Sequence, residues 1–326
     1  MKNRAILFLL ISIFILSCAM KEKVQRILTE KDEPKLYPVK QNGKCGYIDK
    51  TGEIILKPVF DNAGLFSEGR ARVQIAGKCG YIDKTGKAII EPQFDYAEDF
   101  SEGRASVCIG ENCPESGKWG YIDKTGKIII NQQFYWAGGF SEGRARVVIK
   151  GEFGYIDKNG KVIIKPQFDT AEDFSEGLAR VVTYTDYGGR WGYIDKTGKI
   201  IIKPQFEGAR AFSEGLAGVE IDGNWGYIDK SGKFIIKPVF DNAGDFSEGL
   251  AGVCIGEQCS QPGVGNWGYI DKTGKIIIKP QFDYAEDFSE ELAEVCIGIG
   301  EKCSPSGGGR WGYINKTGNY VWKPQE

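Results

Sequence analysis

The sequence predicts an all-β fold of about eight tandem three-stranded antiparallel meanders, joined by short one-turn helical links. Three observations predict it. The motif Tyr-Ile-Asp/Asn-Lys occurs eight times at intervals of 34 to 44 residues. A glycine lies two residues after each motif, where a hairpin loop needs one. An apolar run follows in nearly every copy. The copies begin at Tyr47, Tyr81, Tyr121, Tyr155, Tyr193, Tyr227, Tyr269 and Tyr313.

Each copy contains two predicted hairpins. In GYIDKTGKIII, the Asp-Lys-Thr-Gly segment is typical of a short turn between two strands. The strand ARVVI and the turn KGE precede the motif at residues 144–152, which adds a third strand. The run Ile128–Ile130 is apolar at consecutive positions, so we expect burial on both faces of that strand. A proline follows it in seven copies of eight and is expected to end the strand.

The link to the next copy has the form QFDYAEDFSEG. Asp95 followed by Glu98 matches a capping box, which predicts a single helical turn. Ser-Glu-Gly then turns the chain back. Glu291 replaces the glycine once, so we expect the last link to be strained or differently shaped.

The sequence predicts the strands within each copy, but it leaves two arrangements of the eight copies relative to one another. Eight complete meanders fit between Leu36 and Lys323, and no sheet needs strands from both ends of the chain. This favours an open, twisted, solenoid-like array. A closed, eight-bladed, propeller-like ring is the alternative.

The repeated pattern resembles the bacterial WG-repeat (KWG-repeat) family, over about Lys35 to Gln325. The signature Trp-Gly occurs five times, at Trp119, Trp191, Trp225, Trp267 and Trp311. Cys45, Cys79 and Phe153 take the tryptophan position in three other copies. The resemblance implies a β-repeat envelope or interaction protein and no general biochemical activity.

The N-terminus is predicted to be a lipoprotein signal peptide over residues 1–17. Lys2 and Arg4 precede an apolar run, Ala5–Leu16, whose 12 residues are fewer than the roughly 20 that a membrane-spanning helix needs. Ile15-Leu16-Ser17-Cys18 resembles the bacterial lipobox, which implies lipid attachment at Cys18. Residues 18–34 would be a polar tether and residues 35–326 a single repeat domain. We expect a lipid-anchored envelope protein on the outer membrane, its periplasmic face or the cell surface. A cleaved soluble form and an uncleaved anchor helix are the alternatives.

Composition argues against most catalytic chemistry. The chain has no histidine, the commonest general base and zinc ligand, and its net charge is −2, which disfavours nucleic acid. The repeated acids, such as Glu176 and Asp123, are explained by their turns. We therefore expect no enzyme activity, no catalytic residue, no metal and no cofactor; a hydrolase hidden in the loops is the remote alternative.

Eight cysteines besides Cys18 are disulfide candidates in an exported chain. Three pairs bracket inserted loops and are predicted to bridge locally: Cys108 with Cys113, Cys254 with Cys259, and Cys296 with Cys303. Cys45 and Cys79 could meet across adjacent copies or remain buried thiols in the tryptophan position. Four-thiolate zinc is the rival interpretation.

The predicted function is a non-catalytic binding or scaffolding module for protein partners. Extra residues fall only before the Trp-Gly signature, at residues 108–118, 183–190, 254–266 and 296–310. Because these segments share one position in the unit, we expect them to project from one rim of the array, where repeat proteins often bind their partners. The alternative is that they are tolerated surface insertions without a role. The alternative function is carbohydrate or cell-wall binding through the repeated aromatic residues, with packing as their competing role.

Overall fold

The computed structural model describes residues 35–110, 113–115, 117–185, 188–256, 259, 265–298, 303 and 309–323. The predicted signal peptide, Cys18 and the tether lie outside the described residues. Contacts divide the chain into two compact units, Met1–Asp99 and Phe100–Glu326. The predicted fold class is confirmed: eight small antiparallel sheets follow one another along the chain.

The first unit contains two sheets and one further short strand. The first sheet is β1 (Tyr37–Gln41), β2 (Lys44–Ile48) and β3 (Ile54–Phe60); the second is β4 (Asn62–Ser67), β5 (Arg70–Ile75), β6 (Lys78–Ile82) and β7 (Ala88–Phe94); β8 (Tyr96–Ala97) follows.

The second unit begins with β9 (Arg104–Ile109), β10 (Lys118–Asp123) and β11 (Ile128–Phe134). Five four-stranded sheets follow. They are β12 (Trp136–Ser141), β13 (Arg144–Ile149), β14 (Glu152–Ile156) and β15 (Val162–Phe168); β16 (Thr170–Ala171), β17 (Leu178–Thr185), β18 (Gly188–Asp195) and β19 (Ile200–Phe206); β20 (Gly208–Ala209), β21 (Ala217–Ile221), β22 (Asn224–Ile228) and β23 (Phe234–Phe240); β24 (Asn242–Ala243), β25 (Leu250–Cys254), β26 (Trp267–Asp271) and β27 (Ile276–Phe282); β28 (Tyr284–Ala285), β29 (Leu292–Ile297), β30 (Arg310–Asn315) and β31 (Tyr320–Trp322).

The predicted grouping of strands is correct, with one strand added. In the sheet β12–β15, Val147 lies opposite Gly154 and Tyr155 lies opposite Ile164, as the two predicted hairpins require. The link contributes a fourth strand on the other side of β13. We call the four, in chain order, the link strand, second strand, motif strand and last strand.

The predicted one-turn helices in the links are wrong; among the described residues the links are extended and no α-helix occurs. The Asp169 amide donates to the Val182 carbonyl at 3.1 Å and the Glu172 amide to the Arg180 carbonyl at 3.0 Å, which are strand contacts. The Asp169 carboxylate accepts from the amide of Tyr184 at 2.7 Å. The acid that suggested a helix cap therefore binds a neighbouring hairpin.

The last strands depart from prediction in two ways. Of the three isoleucines in β11, only Ile130 is buried at 4%, whereas Ile128 is 39% exposed, so burial on both faces is wrong. Proline does not end the strand either. β15 continues through Pro166 to Phe168, with a register shift against β14 that accommodates the missing amide donor.

The hydrophobic core lies between sheets rather than within them. At the interface between β12–β15 and β16–β19, one face of the first sheet packs against the link and the opposite face of the next. The buried residues there are Tyr155, Ile164, Phe168, Ala171, Phe174, Ala179, Val181 and Ile194. The next three interfaces repeat this pattern, as does the one between β1–β3 and β4–β7. The open array and the closed ring stay as the two predictions for how the sheets are arranged overall.

Candidate functional site

The tyrosine of each motif connects its sheet to the next link. The Tyr155 hydroxyl donates to the carbonyl of Glu172 at 2.7 Å, and its ring centroid lies 5.0 Å from that of Phe174. Burial removes the tyrosine hydroxyl and the carbonyl from water, so each needs the other as its hydrogen-bond partner, while the two rings pack together. The same bond recurs at Tyr47, Tyr81, Tyr121, Tyr193, Tyr227 and Tyr269.

The side chains at the tryptophan positions lie beside these interfaces, where they pack against neighbouring residues. Trp119 is fully buried, and its indole N–H donates to the Pro114 carbonyl at 3.1 Å. The other four signature tryptophans are half-buried. The guanidinium of Arg180 lies 5.1 Å from the ring centre of Trp191, and Arg210 lies 5.2 Å from that of Trp225. A ring face under a guanidinium is not open for stacking on a sugar.

The glycine of Trp-Gly is required by a close backbone approach. A Cβ on Gly192 would lie 2.6 Å from the Ile202 carbonyl oxygen and 2.6 Å from the Pro204 nitrogen. The register shift in β19 brings this proline-bearing segment onto the motif strand. The repeated signature therefore encodes the pairing of motif strand with last strand, which sequence analysis did not foresee.

The repeated glutamates connect consecutive sheets. In the turn Ser175–Leu178, Glu176 and Gly177 both have positive φ, 52° and 88°. The Glu142 carboxylate accepts from the Gly177 amide at 2.9 Å and pairs with Lys196 at 2.9 Å, both in the next sheet. Partial burial favours protonation of Glu142, but these two hydrogen bonds outweigh it, so its pKa is lowered. The same pairing recurs at Glu102, Glu176, Glu214 and Glu248.

The lysine partners were not predicted from the sequence, although the signal is present there: a lysine and a glutamate are both repeated in fixed register. The repeated aspartates also have structural partners. Asp195 Oδ1 accepts from the amide and hydroxyl of Thr197 and the amide of Lys199, which closes its own turn. These contacts explain both sets of acids without catalysis.

A charged cluster in the second unit is the strongest candidate for titration chemistry. Asp245 is half-buried, and its Oδ1 has no hydrogen-bond partner among the described residues. Burial raises the pKa of Asp245, against the opposing effect of Arg210 and Arg180. Asp287 is exposed, but partial desolvation of its carboxyl group and the nearby Asp245 raise its pKa to about 6. Both acids occupy the same position, in consecutive links of the repeat.

The disulfide candidates are resolved by the structure. The three loop pairs are bridged, with Cα–Cα distances of 5.9 Å for Cys108–Cys113, 5.8 Å for Cys254–Cys259 and 6.0 Å for Cys296–Cys303. Cys45 and Cys79 are free, buried thiols in the tryptophan position, not a bridge. Burial raises the pKa of Cys79, which keeps it a thiol.

The four insertions open from one hairpin position, between second strand and motif strand. Cys108, Cys254 and Cys296 each lie directly opposite the tryptophan of their sheet, at Trp119, Trp267 and Trp311. The fourth insertion lengthens the ladder instead, with Tyr184 opposite Gly189. Sheets without an insertion close the same hairpin with two residues, such as Lys150-Gly151.

In the described part of the chain, no group of three or more Cys, Asp or Glu side chains is arranged to hold a metal ion. Nor does any helix there have the length and apolar character to cross a membrane.

Comparison with known proteins identifies the repeat. Residues 46–79, 80–113, 119–152, 153–183, 191–225, 225–259 and 267–298 match the family described as WG containing repeat. The chain belongs to the WG-repeat family. Seven WG repeats match, whereas the structure has eight sheets; the eighth motif, with Trp311, lies beyond the final match.

Solved structures are similar to this WG-repeat chain at low sequence identity. A crystal structure of the eukaryotic initiation factor is 11% identical with a TM-score of 0.60, over 90% of this chain and 85% of that one. The β-propeller domain of the Trilobed protease from Pyrococcus furiosus is 12% identical with a TM-score of 0.40, over 90% and 99%. No curated protein sequence matches the chain.

Proposed function

We propose that this WG-repeat chain is a non-catalytic binding module, which presents its four inserted hairpins to a protein partner. One observation carries the proposal: all four insertions leave one hairpin position of a scaffold whose sheets are joined by repeated hydrogen bonds and ion pairs. Variable loops on a rigid framework are where recognition is usually located. Disulfides at three of them reduce the conformational freedom that binding would cost.

The test replaces each insertion by the Lys150-Gly151-Glu152 turn of the uninterrupted repeat. A partner is first captured from envelope extract with the unmodified full chain. We expect the replaced chain to keep its circular dichroism spectrum and to lose binding by about tenfold or more. The matched control is Asp222→Lys, which changes a turn residue without an insertion. Unchanged affinity after all four replacements would contradict the proposal.

We further propose that the chain is anchored through lipid on Cys18 and acts at the cell envelope. The support is the apolar run Ala5–Leu16 and the lipobox-like Ile15–Cys18. Acyl chains supply membrane affinity for each buried methylene, so two or more chains hold stably. Cys18→Ala should abolish palmitate labelling and leave an unprocessed precursor, whereas Ser17→Ala should label normally. Undiminished labelling of the Cys18 variant would disprove the anchor.

A further inference from the structure

The last sheet has an aromatic face that its counterparts bury. In every earlier interface described here, the face with the motif tyrosine packs against the next sheet, and that tyrosine is 0–1% exposed. In the last sheet Tyr313 is 39% exposed and Trp322 is 49% exposed. We define the end face as Tyr284, Glu294, Trp311, Tyr313 and Trp322.

The hydrogen bonding of the end face also differs from the interior pattern. Each of the seven earlier motif tyrosines donates to a carbonyl of the next link, such as Tyr269 to Glu286 at 2.7 Å. The Tyr313 hydroxyl instead donates to the Glu294 carboxylate of its own sheet at 3.2 Å. Glu294 occupies the position where Arg72, Arg146 and Arg180 lie in earlier sheets, so this face has an acid where three earlier faces have a base.

The first sheet has the complementary uncovered face. Tyr37, Val39 and Ile48 take the positions of Ala145, Val147 and Ile156, which are 0–1% exposed. Tyr37 is 42% exposed, and Val39 and Ile48 are only half-buried. The first sheet also has no link strand, since it consists of β1, β2 and β3 alone. We define the start face as Tyr37, Val39 and Ile48.

Charge distinguishes the two ends. Residues 35–60 contain five lysines against two acids, whereas residues 284–323 contain six acids against four basic residues. Opposite charge favours encounter between the two ends of different molecules and disfavours pairing of like ends. The five interfaces described above show that faces of these two types fit each other, since each of them buries one against the other.

We propose that the end face binds the start face of a second copy of this chain, continuing the stack from one molecule to the next. This contact is head-to-tail, so the two surfaces that meet are different. This contact uses neither the inserted hairpins nor Cys18, so it goes beyond the proposed function and is tested independently of that function.

The test uses two full-length chains with different tags, purified in detergent. One carries Tyr37→Cys and the other Trp322→Cys, and they are mixed under mild oxidation. We expect a covalent adduct that contains both tags. Tyr184→Cys replaces Trp322→Cys in the control, because Tyr184 is 62% exposed and lies outside both faces. Adduct no more abundant than with the control overturns the proposal.

Two further measurements distinguish the remaining occupants. If a chain carrying both Tyr37→Cys and Trp322→Cys forms a bridge within one molecule and the mixed chains form none, the end face is covered by its own chain, which also overturns the proposal. Trp322→Cys removes an aromatic ring that the contact would use, so self-association is also measured by sedimentation on the chain without introduced cysteines.

Glu294→Lys should weaken this self-association about tenfold, and raised salt should weaken it further. Glu152→Lys, at an exposed site outside both faces, should leave the self-association unchanged. A single-chain species at all concentrations contradicts the proposal.

Discussion

At the scale of single residues, the turns between link strand and second strand depend on residues in the left-handed backbone conformation. Glu176 and six other glutamates in the same turn position hold φ between 51° and 53°. A glycine follows in six of these turns, but Glu291 follows Glu290 with φ of 69°. The turn keeps its shape, since Ser289 and Leu292 still exchange both hydrogen bonds at 2.8 and 3.1 Å. The last link was expected to be strained or differently shaped, and the backbone shows the first alternative: a left-handed non-glycine residue in a turn of unchanged shape.

Replacing Glu291 with glycine should therefore stabilise the fold. Relief of the left-handed conformation outweighs two costs, namely the added freedom of glycine in the unfolded chain and the exposed Lys316–Glu291 ion pair at 3.0 Å. We expect a gain of roughly 0.5–1 kcal/mol in the free energy of unfolding, measured with urea. Gly249→Glu, the reverse change in the preceding turn, should lower it by a similar amount. A loss of stability in the Glu291 variant would show that the turn is not strained.

Asp287 should make stability depend on pH. Its folded pKa of about 6 exceeds the unfolded value near 4, so the folded state binds this proton more tightly. The folded state is thus penalised at neutral pH, and the penalty disappears as pH falls below about 4. We expect Asp287→Asn to raise Tm at pH 7–8 and to leave it unchanged at low pH.

Asp229→Asn is the opposite-sign control. The Ser231 hydroxyl lowers the pKa of Asp229, so this carboxylate stabilises the fold at neutral pH and loses that effect as pH falls. Asn315 makes the same turn contacts in the last motif, so asparagine fits the site. Asp229→Asn should lower Tm at pH 7, with a difference that shrinks in acid. A Tm difference independent of pH in the Asp287 variant would refute the assignment.

At the scale of strands, the sequence predicts what local chemistry determines. The hairpin turns were foreseen because Asp195 and Gly198 close their loop with bonds inside four residues. The links were wrongly predicted to be helical because the spacing of Asp95 and Glu98 fits a helix cap as well as a strand. Pairing with the second strand, which is distant in sequence, selects the extended conformation. Ile128 was expected to be buried because hydrophobicity alone does not say which face has a neighbour.

The motif strand and last strand depend on a glycine that no turn requires. Gly192→Ala would place a Cβ 2.6 Å from two backbone atoms, which cannot move without shifting β19. We expect a cost of about 1–3 kcal/mol in the free energy of unfolding, as for other overpacked sites. Gly139→Ala is the control, because its Cβ would meet only Ser101 Cβ at 3.7 Å. Equal effects of the two changes on urea unfolding would contradict the close-approach explanation.

At the scale of the whole molecule, repetition separates stability from recognition. The same tyrosine, glutamate and lysine contacts recur between sheets, so the scaffold tolerates variation only where these contacts are absent. The hairpin before Trp-Gly is such a place, and all four insertions occur there. Fixed spacing in the sequence was enough to predict eight sheets and their insertions. The uncovered faces of the first and last sheets could not be predicted, because exposure depends on packing that no motif encodes.

The proposed binding rim is tested most directly by site-specific photocrosslinking in cells that produce the full chain. A benzophenone amino acid replaces Tyr184, which lies in an inserted hairpin and is 62% exposed, or Val239, which lies on the last strand β23 and is 60% exposed. The account predicts a discrete protein adduct from position 184 that is absent from position 239. An adduct from position 239 alone, or equal adducts from both, would place binding on the sheet edges and contradict the role of the inserted hairpins.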